Sequence, residues 1–173
     1  MVNQWVTSGN TEVFKEEHFP IYDSAATLYA DLLVRNGSYW TLTNMTDPVS
    51  LTPHLFAASE SNTKQDEYAN HVDAGGFTMP LIAETLRHAN VFRQQFGLEE
   101  NATWDEMADN VLVLRENEVT LEFTTMNGSA VVKQADVVMV TYPLGYTANY
   151  TSQNSLNDLD YVSIQILCKK KSN

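Results

Sequence analysis

Cysteine is nearly absent. Cys168 stands alone in 173 residues, which excludes a disulfide within the chain and any cysteine-rich metal site. Basic residues are scarce: ten Lys and Arg oppose 22 Asp and Glu, for a net charge of -12. Nucleic acid and anionic membrane both need a basic face, so neither is expected as a partner. No apolar run of ~18 residues occurs, so no membrane span is expected. The opening "MVNQWVTSGN" lacks an apolar core, so no signal peptide is expected in this chain. His18, His54, His71 and His88 are scattered. Without metal-ligand spacing each reads as a surface or packing histidine, and no metal or cofactor is expected.

What is present suits one globular domain with a sizeable core, since 43% of the residues are hydrophobic. In "EEHFPIYDSAATLYADLLVRNG", Ile21, Ala25, Leu28, Tyr29, Leu32 and Leu33 recur at helical spacing, with Pro20 near the start and Gly37 at the end. "SYWTLTNMTDP" reads as extended, and "DEYANHVDAGGFT" as loop. "TMPLIAETLRHANVFRQQFGLE" is a second helix, with Thr78 available as a cap, Pro80 in the first turn and Gly97 closing it. Its expected buried face is Leu81, Ile82, Leu86, Ala89, Phe92 and Phe96. A third helix opens on a capping box, Thr103 with Glu106 three residues on. Asn127-Gly128 signals a small β-hairpin. "KQADVVMVTYPL" and "SLNDLDYVSIQ" each allow a short helix. The pattern is mainly α.

Five sequons begin at Asn36, Asn44, Asn101, Asn127 and Asn149. About two or three would arise by chance, so they are N-glycosylation candidates that hint at a secretory route.

Two patterned pieces, "TNMTDP" and "DEYANHVD", flank a patternless stretch. Joined, they resemble the active-site loop of the fungal acid trehalases in glycoside hydrolase family 65. Maltose and kojibiose phosphorylases of that family carry a similar Pro-Asp-Glu-Tyr run. "FPIYDSAATLYADLLVRNGSYW" resembles the helix before that loop, "GGFTMPLIAETLRHANVFRQQFGLEENATWDEMADNV" the helices after it, and "TLEFTTMNGSAVVKQADVVMVTYPL" a later family segment. The resemblance implies that residues 1–173 are part of an (α/α)6 toroid catalytic domain, of six-hairpin glycosidase type with a small β-hairpin. The interruption, residues 49–65, begins with Val-Ser, which GTAAGT encodes, and ends with Gln, which CAG encodes. It reads as a short intron translated in frame, the alternative being a genuine surface insertion. Residues 162–173, with Val162-Ser163 and a Lys-rich end, read as an aberrant tail.

The resemblance implies cleavage of α,α-trehalose to glucose by an inverting acid/base mechanism. Glu67 would be the general acid, with Asp66 adjacent and Asp73 near in sequence. Without the resemblance, a Glu beside an Asp in a polar loop is ordinarily a solvated pair. Lys133 and Gln134 match the motif that holds glucose hydroxyls; an ammonium and an amide suit that task. Trp40, Tyr68 and Tyr142 could offer aromatic surface to sugar rings, although core packing is the plainer reading. Asp136 and Asp160 are candidates for the base only by residue type, and the resemblance places the base beyond this chain. Residues 49–65 are expected to push Asp47-Pro48 away from Asp66-Glu67, leaving the chain inactive as it stands. The implied partners are trehalose and the remainder of the same catalytic domain. The implied location of the full-length protein is extracellular, cell wall or vacuolar. Two alternatives stay open: an inverting disaccharide phosphorylase of the same family, and a non-catalytic truncated or pseudogene product.

Overall fold

The computed structural model describes residues 2–47, 69–126 and 136–170. Helix α1 (Val2–Ser8) and the short α2 (Thr11–Val13) lead through a π-helical turn, Phe14–His18, into α3 (Phe19–Leu32). Asn10 caps α2, its side-chain oxygen accepting from the Val13 amide at 3.2 Å. Pro20 lies in the first turn of α3, where its missing N–H costs nothing. The helix ends at Leu32, earlier than Gly37 implied. Gly37, at φ +62°, instead turns the hairpin formed by β1 (Val34–Asn36) and β2 (Tyr39–Thr41).

Strands β3 (Met45–Asp47) and β4 (Ala69–Val72) pair antiparallel, Met45 opposite Val72 and Asp47 opposite Ala69. The stretch read as loop therefore contains a strand. Helix α4 (Thr78–Gln95) follows and closes on Gly97 at φ +73°. Its buried face includes Ile82, Leu86, Ala89 and Phe92 as expected, with Met79, Ala83 and Asn90 added. Thr78 is the first residue of this helix rather than its cap.

Helix α5 (Trp104–Asp109) starts without the capping box. Asn101 Oδ1 accepts from the Thr103 amide and hydroxyl, and Glu106 instead accepts from Trp40 Nε1 at 2.8 Å. The β5 (Arg115–Glu116) and β6 (Val119–Thr120) hairpin turns at Asn117-Glu118, both at positive φ. That turn precedes Asn127-Gly128, which lies outside the described residues. A 3-10 turn, Asp136–Val140, and helix α6 (Ser152–Lys170) complete the described chain. Among the described residues, the strands form three two-stranded antiparallel units, with one isolated parallel bridge between Trp40 and Val111, and the molecule is mainly helical.

The main core packs α3 and α4 against Trp104, Ala108, Val111, Val140, Tyr146 and Tyr150. A bidentate ion pair locks α3 to α4: Arg93 Nε and Nη2 donate to the two Asp23 carboxylate oxygens, each at 2.7 Å. A second cluster joins Phe14, Phe19 and Phe92, with Trp5 stacked on Phe14 at 4.4 Å between ring centroids.

Candidate active site

The segment after β4, Asp73 to Gly76, is held between two other pieces of chain. On one side the Ala74 amide donates to the Leu42 carbonyl at 3.0 Å, and the Asn44 amide donates to Asp73 Oδ1 at 2.8 Å. On the other side the Gly76 amide donates to the Glu122 carbonyl at 2.7 Å, and the Thr124 amide donates to the Asp73 carbonyl at 3.0 Å. Glycine is required at 76. A Cβ there would run into the Leu121 carbonyl oxygen and sit 2.9 Å from Val137 Cγ1. Three non-glycine residues around this junction hold left-handed backbone: Asn44 (φ 54°), His71 (φ 59°) and Ala74 (φ 52°). Such strain concentrates at functional sites.

This junction is where the segments carrying the candidate residues take root. Glu67, with Asp66 and Tyr68, lies in 48–68, outside the described residues. So do Lys133 and Gln134, in 127–135. Their flanks are described. Asp47 and Ala69 close one segment as register partners. Asp47 thus lies opposite the strand that follows Glu67, while the expected separation of Asp47-Pro48 from Asp66-Glu67 falls outside the described residues. Met126 begins the other segment, and it packs in one hydrophobic cluster with Val72, Leu121 and Phe123, against which Met45 lies. At its far end Val137 reaches Gly76. The roots of both segments therefore meet on Asp73 to Gly76.

Other candidates separate. Trp40 is half-buried and committed, with Nε1 on Glu106 and the Arg35 guanidinium 5.6 Å above its ring. Tyr142 is 83% exposed, so core packing is not its role. Of the two base candidates, Asp136 is fully buried and Asp160 is exposed on α6. Glu122 is a further buried carboxylate, which sequence reasoning passed over. Of the sequons, Asn36, Asn44 and Asn149 are exposed and Asn101 is half-buried; Asn127 lies outside the described residues.

Burial pushes the phenols of Tyr146 and Tyr150 up to about 12, helped at Tyr150 by its bond to the buried Asp158. A cavity of about 410 Å³ between α4 and α5 is lined by Arg87, Asn90, Gln94, Glu100, Asp105 and Asp109. It includes no residue of the β3–β4 junction. Among the described residues no cluster of His, Cys, Asp and Glu suits a metal ion.

No protein-family model matches the chain. Over 161 residues it is 63% identical to an acid trehalase of Emericella nidulans, covering 93% of this chain and 14% of that protein. Over 163 residues it is 53% identical to a cell wall acid trehalase of Arthroderma benhamiae, covering 93% of this chain and 14% of that protein. Over 103 residues it is 41% identical to a periplasmic/secreted acid trehalase of Candida glabrata, covering 58% of this chain and 8% of that protein. The chain thus spans 14% or less of the length of these curated relatives.

Proposed function

This chain belongs with the fungal acid trehalases as a short segment of their length, and on that premise we propose that it is part of a glycosidase cleaving α,α-trehalose to glucose. The observation that carries this reading is the 63% identity along 93% of the chain. In this reading Glu67 is the general acid, protonating the leaving glycosidic oxygen while a base activates water on the opposite face of the sugar. Lys133 and Gln134 hold hydroxyls of the cleaved glucose. The convergence of both flanking segments on Asp73 to Gly76 supports a single site. The base belongs to polypeptide outside these residues, so the segment alone is inactive.

The rest of an (α/α)6 toroid supplies neighbours that the segment needs. Helix α3 supports this, being apolar on two faces. Ala26 and Phe19 are buried, while Ile21, Leu28 and Leu32 line another face and are 56%, 57% and 47% exposed. A helix apolar on both sides is ordinarily buried in a larger assembly of helices. The location that fits is extracellular or cell wall, in keeping with relatives named as cell wall and periplasmic/secreted proteins.

The β3–β4 register also supports reading residues 49–65 as an insertion. Without them only Pro48, Asp66, Glu67 and Tyr68 would join the paired strands. A loop of about four residues is ordinary for a β-hairpin.

The test is NMR-resolved product analysis on the complete protein that carries this segment, given trehalose with and without inorganic phosphate. Phosphate-independent release of one α- and one β-glucose supports inverting hydrolysis. Two α-glucoses would overturn inversion, and phosphate-dependent glucose 1-phosphate would make it a phosphorylase.

A further inference from the structure

From the β3–β4 junction we infer that Asn44 and His71 are positioning residues, a side-chain latch that fixes the ribbon from which the acid-bearing loop springs. The catalytic consequence rests on reading Glu67 as the acid; the latch itself rests on described residues. Asn44 immediately precedes β3 and His71 lies within β4. Their side chains meet, His71 Nδ1 lying 2.7 Å from Asn44 Oδ1. An amide oxygen only accepts, so Nδ1 carries the hydrogen and the ring tautomer is set. The Asn44 amide in turn donates to Asp73 Oδ1 at 2.8 Å, and the Asp73 carbonyl accepts from Thr124. One chain of contacts therefore runs from β4 across to β3 and back to the segment leading to Met126.

The plainer reading is an exposed hydrogen bond of little consequence, since both side chains are exposed. The backbone argues against it. Asn44 and His71 both hold left-handed conformations, at φ 54° and 59°, from opposite sides of one strand pair. Relaxing either would rotate its side chain out of the bond. The bond and the strained backbone thus hold each other, and they do so next to Asp47 opposite Ala69, where the loop begins and ends. General-acid catalysis needs a carboxyl within about 0.5 Å of its productive place. A loop whose root can twist loses that placement.

The test uses the complete protein with trehalose and four latch variants: Asn44→Ala, Asn44→Asp, His71→Gly and the Asn44→Ala/His71→Gly double. Misplacement of about 1 Å costs up to about 100-fold in rate, so Asn44→Ala and His71→Gly are expected to lose about 10–100-fold in kcat with KM nearly unchanged. The double variant should fall no further than the worse single. Asn44→Asp keeps an accepting oxygen and should recover most of the rate. His71→Gly frees the strained backbone, so its Tm should hold while its kcat falls, which a purely structural role would not produce. Asn44→Asp also removes the sequon, so its recovered rate separates the latch from loss of a glycan. Unchanged kcat in both singles, or additive losses in the double, would overturn the latch. Glu67→Gln, measured alongside, keeps the two readings apart. If it stays active while the latch variants lose rate non-additively, the acid reading falls and the latch stands. If it is inactive while the latch variants keep their rate, the latch falls and the acid stands.

Discussion

Replacing Gly76 by alanine tests how tightly the three segments of the junction close on one another. Gly76 is not among the glycines at positive φ, so its backbone conformation alone suits alanine. At such a position Gly→Ala usually stabilises by about 0.4–1 kcal/mol, through the unfolded chain. Here the added Cβ would strike the Leu121 carbonyl oxygen, lie 2.9 Å from Val137 Cγ1 and lie 3.2 Å from Glu122 Cα. Two of those three neighbours are backbone, so they cannot swing aside. Overpacking of this kind costs about 1–3 kcal/mol. Spreading the segments also weakens the Gly76–Glu122 hydrogen bond, worth about 0.5–1.5 kcal/mol. The clash outweighs the entropic gain, and the net expectation is a loss of about 2–3 kcal/mol. Urea denaturation measures it: with slopes of about 1–3 kcal/mol/M, the midpoint should drop by about 1 M or more. Gly97→Ala is the companion, because nothing lies within 4 Å of a Cβ there and its φ is +73°. It should lose only the left-handed strain, about 1–2 kcal/mol. A Gly76→Ala midpoint at or above that of the unmodified protein would refute the close approach.

Three further outcomes follow from the packing. Arg93→Met should cost about 2 kcal/mol in chemical denaturation, because it strips a bidentate partner from the part-buried Asp23; adding Asp23→Asn should cost less than the sum of the two singles. Asp158→Ala should cost about 2–4 kcal/mol, since the buried Thr120 amide and Tyr150 hydroxyl both lose their acceptor, and a Tm within about 2 °C of the unmodified value would contradict it. Burial raises the phenols of Tyr22, Tyr146 and Tyr150 from 10 to about 12 in the folded state. Their contribution to stability is therefore complete below pH 10 and is lost as pH rises from 10 toward 12. Absorbance at 295 nm should register their ionisation only as the far-ultraviolet circular dichroism collapses; ionisation of all the tyrosines before that collapse would contradict the burial.

Helix α4 was legible because its apolar residues recur at helical spacing between Pro80 and Gly97, so the local pattern and the tertiary packing agree. The β5–β6 hairpin was missed for the opposite reason. Asn127-Gly128 is the stronger turn dipeptide, but the described turn forms at Asn117-Glu118, with Glu118 held at φ 68°, which its residue type does not advertise. Strand β4 was missed because Ala-Asn-His-Val offers only one strongly apolar residue. It becomes a strand through pairing with β3, far away in sequence. Likewise Glu106 had the spacing of a capping residue, yet Trp40 Nε1 claimed its carboxylate across the fold. At the site, the family resemblance alone suggested Glu67, Lys133 and Gln134. The convergence of three distant segments on Asp73 to Gly76 had no local signature, since its hydrogen bonds join main-chain groups that any residue carries.

The measurement that bears most directly on the central claim is glucose release from trehalose at acidic pH by the complete protein, with Glu67 and with Glu67→Gln, each checked for folding by circular dichroism. The account predicts turnover by the unmodified protein and a fall of about 10²–10⁴ in kcat for the variant, the usual contribution of a positioned acid. A folded Glu67→Gln protein that hydrolyses trehalose at the unmodified rate would contradict it.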